Sequence, residues 1–304
     1  MTRDPRAPTT RAQGAPREPT ETRVATGSFR GLADLRLVGR QVYYEQLNFW
    51  LNPIGAVFTV GFSVVFLLLV GSSSGHSHSK ALAGGEVIAY YVPGFIAYGV
   101  MAACFNMLAI TLVVRRETGL LKRLRLSPLP TWALLSAVVV NSTIVSAVQV
   151  VLVLVIGRFG YHVAFPHDPA AFVVTLLVGV ASFTAVGIAT STLIPNQESG
   201  GPVTSIVFFV LLFLSGLWYP IAPGSGLAKF SSYFPVRHMI LAVYASFGSN
   251  HGASAWAWHD MGVLAIWGAA GVVVAARRWS WAPRQARRGR QSITALGSMY
   301  RRWG

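Results

Sequence analysis

Five long stretches of this chain contain no charged residue, and this feature limits the possible folds more than any other. No Asp, Glu, Lys or Arg lies within residues 46–79, 87–114, 126–157, 169–197 and 199–228. Each stretch is longer than the roughly 20 apolar residues that a helix needs to cross the hydrocarbon core of a bilayer. Soluble proteins rarely hold five such stretches, so the sequence predicts an all-α integral membrane protein.

Six transmembrane helices are predicted from the densest apolar runs. These spans cover residues 53–70, 91–114, 132–156, 170–193, 203–221 and 256–276. Residues 1–28 are rich in Pro, Thr and Arg and contain no apolar core, so they are predicted to be a disordered tail without a cleavable signal. Residues 279–304 form a second, Arg-rich tail, which leaves residues 29–278 as the transmembrane domain.

The distribution of basic residues predicts the orientation. The formal net charge is +15 although only 12% of the residues are charged, a balance found in nucleic-acid binders and in membrane proteins with basic ends. Six spans place both termini and the loop after span 2 on one side, where 21 of the 25 Lys and Arg residues lie. The positive-inside rule therefore predicts a multi-pass cell-membrane protein whose two tails are cytoplasmic. No single basic face exists, so a nucleic-acid partner is rejected.

The segment before span 1 has the pattern of an amphipathic helix. One face holds Leu32, Leu35, Val38, Val42 and Phe49. The other face holds Arg30, Asp34, Arg36, Arg40 and Glu45. This pattern predicts an interface helix on the inner membrane surface, with an ordinary juxtamembrane segment as the alternative.

The segment between spans 5 and 6 is apolar but interrupted by Pro and Gly. Its longest uninterrupted part, residues 239–248, is too short to cross a bilayer. The backbone of such a segment must be buried in protein or face water. Short re-entrant helices on the outer side are therefore predicted.

The loop after span 2 is the most distinctive segment. Leu120, Leu121 and Leu124 form one apolar stripe on a short helix, basic residues flank the stripe, and Pro128 ends the helix before span 3. By composition alone, the loop is suited equally to anionic lipid and to a soluble partner in the cytoplasm.

Catalytic chemistry has little support in the sequence. None of the three lysines follows a Gly, so the phosphate-binding P-loop pattern is absent, and no cofactor or metal site is predicted. The span centres contain no ionisable residue of the kind that an intramembrane enzyme or an ion-coupled mechanism requires. Polar residues within the spans are candidates either for a translocation path or for interhelical hydrogen bonds: Asn106, Asn141, Ser142, Gln149 and Thr184.

The order of these elements resembles a known family. A cytoplasmic Arg-Glu-x-Gly-x-Leu-x-Arg-Leu-x-x-x-Pro loop is formed by Arg116, Glu117, Gly119, Leu121, Arg123, Leu124 and Pro128. Later motifs are formed by Leu214, Ser215, Gly216, Tyr219, Pro220, Ile221, Phe234, Pro235 and His238. Over residues 30–280 the chain is similar to the type-2 ABC (ABC-2) exporter permeases, in particular to the daunorubicin-resistance type of bacterial drug exporter.

The resemblance implies roles for these segments. The loop after span 2 would be the coupling helix that docks on an ATPase and transmits its movement to spans 2 and 3; it comprises Arg115, Arg116, Glu117, Gly119, Leu120, Leu121, Lys122, Arg123, Leu124, Arg125 and Pro128. Two ATPase copies would bind ATP and Mg, and a second permease copy or a paralogue would complete the path. An outer gate would contain Ser215, Gly216, Tyr219, Pro220, Pro235 and His238.

The function implied is the membrane subunit of an ATP-driven exporter. Its substrate would be a hydrophobic or amphipathic compound, either drug-like or a lipid or glycan. The alternative is an ATP-independent secondary transporter or channel. Such proteins usually show inverted repeats or charged residues within the spans, and the sequence shows neither.

Overall fold

The computed structural model of the protein describes residues 32–74, 87–118, 131–222, 224–248 and 254–279. These residues form helices and no strand. In chain order the helices are α1 (Leu32–Trp50), α2 (53–74), α3 (Val87–Glu117), α4 (131–160), α5 (Pro169–Leu193), α6 (Gln197–Ser215), α7 (Gly226–Ser231), α8 (Pro235–Ser246) and α9 (Trp258–Arg278).

Six of these helices are long and apolar enough to cross a membrane, namely α2, α3, α4, α5, α6 and α9. The predicted all-α membrane fold with six spans is therefore confirmed. Three of the spans each contain one π-helical segment, at Val57–Gly61, Ala102–Met107 and Ile156–Gly160. Because each π-helical segment shifts the register of the side chains that follow, a strict 3.6-residue period does not hold along these spans.

Helix α6 overlaps the span predicted at 203–221 but begins and ends six residues earlier, at Gln197 and Ser215. It begins at Gln197, where the side chain of Asn196 accepts a hydrogen bond from the amide of Ser199. It ends at Ser215 because Gly216 adopts a left-handed conformation with φ of 84°, a common helix terminator. The apolar residues after Gly216 extended the hydropathy signal beyond the end of the helix.

Helix α3 lies at the centre of the bundle. It packs against α2, α4, α5, α6 and α8. Its largest fully buried side chains are Ile88, Phe95, Ile96, Met101, Phe105 and Leu108. Since its neighbours expose far more of their surface, α3 is the helix around which the others are arranged.

Helix α9 packs mainly against α5, and the two backbones approach closely. A Cβ atom on Gly271 would lie 2.7 Å from the carbonyl carbon of Ala185, and one on Gly268 would lie 3.1 Å from the Cα of Ser182. The hydroxyl of Ser182 also donates a 2.7 Å hydrogen bond to the carbonyl of Leu264. Small residues at an interface are the usual means of close helix packing in membranes.

Helix α1 packs against α4, and its side chains only partly follow the predicted pattern. Val38, Val42 and Phe49 are partly buried, and Arg36 and Arg40 are exposed, as the amphipathic pattern predicts. Glu45, assigned to the polar face, is instead buried. Glu45 is buried because it forms an ion pair with Arg115, which is described below. The remaining face side chains, Arg30, Leu32, Asp34 and Leu35, lie outside the described side chains.

Two short helices, α7 and α8, connect α6 to α9. Ser225 caps the start of α7, because its hydroxyl accepts a hydrogen bond from the amide of Ala228, and α8 begins with Pro235 in its first turn. Helix α8 is inserted among α3, α5, α6 and α9 and is largely buried. This burial satisfies the condition for non-spanning backbone at membrane depth, while its position relative to a bilayer stays a prediction.

Candidate functional site

The candidate site residues lie at the two ends of the bundle and in the interior between them. The loop end is defined here as the end where α3 and α5 terminate, and the opposite end, which carries α7 and α8, is called the gate end. Most residues of the predicted coupling helix lie outside the described residues: Gly119, Leu120, Leu121, Lys122, Arg123, Leu124, Arg125 and Pro128. The structure describes only the start of that segment.

Arg115 connects α3 to α1 at the loop end. Its guanidinium contacts both carboxylate oxygens of Glu45, with Nη1 2.7 Å from Oε1 and Nη2 closest to Oε2. The side chains retain only 13% and 8% exposure, respectively. A bidentate arginine–carboxylate pair of this kind fixes the relative orientation of its two partners.

Arg116 connects α3 to the end of α5. Nη1 donates to the carbonyl of Ser191 at 2.8 Å, and Nη2 donates to the carbonyl of Ile194 at 2.6 Å. Nε donates to Glu117 at 2.8 Å. The last carbonyls of a helix lack intrahelical donors and carry its negative dipole end, so a guanidinium stabilises them.

The three residues at the start of the predicted coupling helix therefore contact the chain itself. Arg115, Arg116 and Glu117 are buried or nearly buried, with side-chain exposures of 13%, 6% and 2%. Their expected contribution to a partner surface stays a prediction. What the structure adds is that the segment leading into the loop is held by an ion pair to α1 and by hydrogen bonds to the end of α5.

The five predicted path residues lie in the interior between α3, α4 and α5. Ser142 and Gln149 are fully buried, and Asn141 and Thr184 are nearly so. Oxygen atoms of four of them are buried without a hydrogen-bond partner among the described residues, namely those of Asn106, Asn141, Gln149 and Thr184. Buried polar atoms without partners are uncommon and typically contact water. A role in translocation stays a prediction.

Gln149 is the best-defined member of this group. Its Nε2 donates to the hydroxyl of Ser63 at 2.9 Å and to the carbonyl of Phe95 at 3.0 Å, so it joins α4 to α2 and α3. Gly99 makes room for it, because a Cβ there would lie 1.4 Å from Oε1 of Gln149. The contacts are those of an interhelical hydrogen bond, the second interpretation that the sequence left open.

The segment after α6 is fixed to α3 at the gate end. The hydroxyl of Tyr90 donates to the carbonyl of Gly216, and that of Tyr91 donates to the carbonyl of Trp218 at 3.2 Å. The hydroxyl of Ser215 accepts a bond from the amide of Leu217. Of the other predicted gate residues, Tyr219 and Pro220 are exposed, whereas Pro235 is buried in α8.

His238 joins three parts of the gate end. Its Nδ1 lies 2.6 Å from Oδ1 of Asp260 on α9, and its Nε2 lies 2.8 Å from the carbonyl oxygen of Ser232, between α7 and α8. Both partners accept hydrogen bonds, so both bonds are made only when the ring is protonated. The hydrogen bond that the His238 ring donates to Asp260 raises the pKa of His238 above its ordinary value of 6.5, against the opposing effect of burial.

Several contact residues were not identified from the sequence. The amphipathic pattern predicts Glu45 on a polar surface, and no sequence pattern marks Tyr90 or Tyr91 as contact residues. A signal existed for Glu45, since it is an isolated acid next to a charge-free span. No signal existed for the carbonyls of Ser191 and Ile194, because backbone acceptors have no side-chain pattern.

The polar and charged side chains at both ends of the bundle make contacts that hold helices together. Among the residues that the structure describes, no group of His, Cys, Asp and Glu could hold a metal ion. Six apolar helices with ionic contacts at their ends define a multi-pass helical membrane protein.

Comparison with known proteins specifies the class further. Residues 75–277 match the family described as ABC-2 family transporter protein. Because this match covers most of the chain, the protein belongs to the ABC-2 transporter family.

Two relatives share part of the sequence. YbhR of Escherichia coli (strain K12), by name a multidrug ABC transporter permease, is 27% identical over 132 residues, which are 43% of this chain and 36% of YbhR. YvfS of Bacillus subtilis (strain 168), by name a transport permease, is 23% identical over 133 residues, which are 43% of this chain and 54% of YvfS. The matched segment thus spans about a third to a half of these relatives.

Proposed function

We propose that this protein is the membrane subunit of an ATP-driven exporter, powered by a separate ATPase. The observation that carries the proposal is membership of the ABC-2 transporter family over residues 75–277. Sequence similarity to YbhR, by name a multidrug ABC transporter permease, supports the same class. The chain binds no nucleotide itself, and ATP and Mg are bound by the partner.

The ATPase docks on the loop between α3 and α4. The apolar stripe of Leu120, Leu121 and Leu124 enters a groove on the ATPase, and Lys122, Arg123 and Arg125 contact its acidic rim. The contacts of Arg115 with α1 and of Arg116 with α5 support this assignment. A loop can transmit force to the helices only if the residues leading into it are bound to them.

Two permease copies, or this chain and a paralogue, form the complete path with two ATPases. Support comes from the apolar side chains exposed on α2 and α6, which suit lipid or a second copy. On α2 these are Ile54, Val57, Phe58, Val65, Leu68 and Leu69. On α6 they are Val203, Ile206, Val207, Phe209, Val210 and Phe213.

The substrate moves outward from the cytoplasm or the inner leaflet. The loop end is cytoplasmic, which agrees with the distribution of basic residues, and the gate end faces outward. Asn106, Asn141, Ser142, Gln149 and Thr184 contribute polar groups near the path, while the segment from Ser215 to His238 narrows the exit. The cargo is a hydrophobic or amphipathic compound of the kind handled by daunorubicin-resistance-type exporters.

Replacing Leu121 and Leu124 with Asp tests the docking role. Charges on the apolar stripe remove its burial against the ATPase, so we expect loss of both ATPase co-purification and drug transport in membrane vesicles. Leu126→Asp is the matched control, since it adds a charge to the same loop away from the stripe and retains both activities.

Normal co-purification and transport by the double variant would contradict docking at this stripe. Transport by the purified chain without any ATPase would instead favour a secondary transporter or channel.

A further inference from the structure

Two adjacent arginines at the end of α3 contact different helices. Arg115 pairs with Glu45 of α1, and Arg116 bonds to the carbonyls of Ser191 and Ile194 at the end of α5. Both side chains lie immediately before the loop at residues 119–130. The last turn of α3 is therefore joined to one helix that precedes it in the chain and one that follows it.

The contact with α1 is specific and supported by neighbours. The carboxylate of Glu45 accepts hydrogen bonds from both terminal nitrogens of Arg115. It accepts a further hydrogen bond, at 3.1 Å, from the side-chain amide nitrogen of Gln41. One residue along α1, Gln46 donates to the carbonyl of Asn141 on α4 at 3.3 Å. A displacement of Arg115 would therefore move α1 against α4 or break the ion pair.

The contact with α5 is equally restrictive. Arg116 bonds through all three of its nitrogens, to two backbone carbonyls and to Glu117, and it is 5% exposed. Removing one partner of such a buried charge is strongly unfavourable, because the remaining charge loses its compensation without regaining water. We therefore expect the end of α5 to move together with the end of α3.

We infer that Arg115 and Arg116 are positioning residues that transmit movement of the docking loop to α1 and α5. This inference rests on the proposed function, in which the loop binds the ATPase. It extends the sequence-based expectation that the movement passes to spans 2 and 3, because the contacts of Arg115 and Arg116, which lie on span 2, lead further to α1 and to the end of span 4.

Glu45→Gln tests the link to α1 in the reconstituted complex of this chain with its ATPase. Glutamine keeps the size of the side chain but leaves Arg115 without a counter-charge. We expect the ATPase to co-purify and to hydrolyse ATP, while transport per ATP hydrolysed falls on the order of tenfold, within the range of about 5–150-fold typical of coupling between sites.

Comparison of variants separates transmission from stability. Arg115→Gln combined with Glu45→Gln should lose no more coupling than Glu45→Gln alone, because both changes break one contact, whereas Arg116→Gln should add a separate loss. Glu45→Asp keeps the charge and should retain most of the coupling. Arg40→Gln is the matched control on the exposed face of α1 and should behave as the native protein.

Three results would overturn the inference. They are native transport per ATP in Glu45→Gln, equal losses in Glu45→Gln and Arg40→Gln, and a loss in Glu45→Asp as large as that in Glu45→Gln. If Glu45→Gln is poorly folded by its thermal midpoint, the double variant Glu45→Gln with Arg115→Gln decides, because it leaves neither charge of the pair buried alone, and native transport per ATP in this variant would overturn the inference. Failure of the native chain to bind an ATPase would contradict the proposed function, a different outcome from any of these.

Discussion

At the scale of single residues, His238 gives the gate end a dependence on pH. Its ring contacts two acceptors, the carboxylate of Asp260 and the carbonyl of Ser232, while Arg237 opposes its charge and the ring of His259 lies 5.7 Å away. Because the folded protein raises the pKa of His238, the pair stabilises the fold fully below pH 6.5, its ordinary value, and this stabilisation is lost as pH rises through the raised pKa.

We therefore predict that the thermal midpoint of the native protein in detergent falls as the pH is raised from about 6 to about 8.5, the range in which histidines titrate. Intrinsic tryptophan fluorescence measures it. Asp260→Asn removes the main cause of the raised pKa and should flatten this part of the profile. Parallel profiles for the two proteins would show that the pair does not contribute.

Pairings of this kind were only partly predictable. His238 is separated from Asp260 by 22 residues, and Glu45 from Arg115 by 70. The sequence contains few acids, so each is a candidate partner for a basic residue, but the choice depends on how helices meet in space. Hydropathy places a residue at a depth and says nothing about its neighbours on other helices.

At the scale of helices, the crossing of α5 and α9 depends on glycine. A Cβ on Gly271 would meet backbone atoms of Ala185 and Val186 within 2.9 Å, and a backbone cannot move aside as a flexible side chain can. We predict that Gly271→Ala destabilises the protein by about 1–3 kcal/mol, the usual cost of overpacking.

Gly262→Ala on the same helix is the control, because nothing lies within 4 Å of its added Cβ and alanine favours helix. The fraction of folded protein after heating, measured by size-exclusion chromatography, should fall for Gly271→Ala alone. Equal folded fractions for Gly271→Ala and Gly262→Ala would mean that α9 moves away from α5 without loss of stability.

The existence of the long helices was predictable because a bilayer requires about 20 apolar residues and the charge-free stretches supply them. The end of α6 was not, since the apolar residues after Gly216 continue the signal while the backbone turns away. The central position of α3 was not predictable either. Lipid and protein interior are both apolar, so burial in either selects the same residues.

At the scale of the whole molecule, six spans together with the distribution of basic residues predict which surfaces face the cytoplasm. Alkaline phosphatase, which is active only outside the cytoplasm, should be active when inserted after Gly248 and inactive when fused after Gly304. Green fluorescent protein fused after Gly304 should fluoresce. Active phosphatase after Gly304 would contradict cytoplasmic tails and would reverse the proposed direction of transport.

The ion pair between Glu45 and Arg115 also has a consequence for the order in which helices dock during synthesis of the chain. Glu45 leaves the ribosome 70 residues before Arg115, with all of α2 and most of α3 between them. A carboxylate buried without its partner is strongly unfavourable, so until Arg115 has been synthesised Glu45 is more stable in water than against the bundle. We therefore expect α1 of the nascent chain to dock only after the second span has been made.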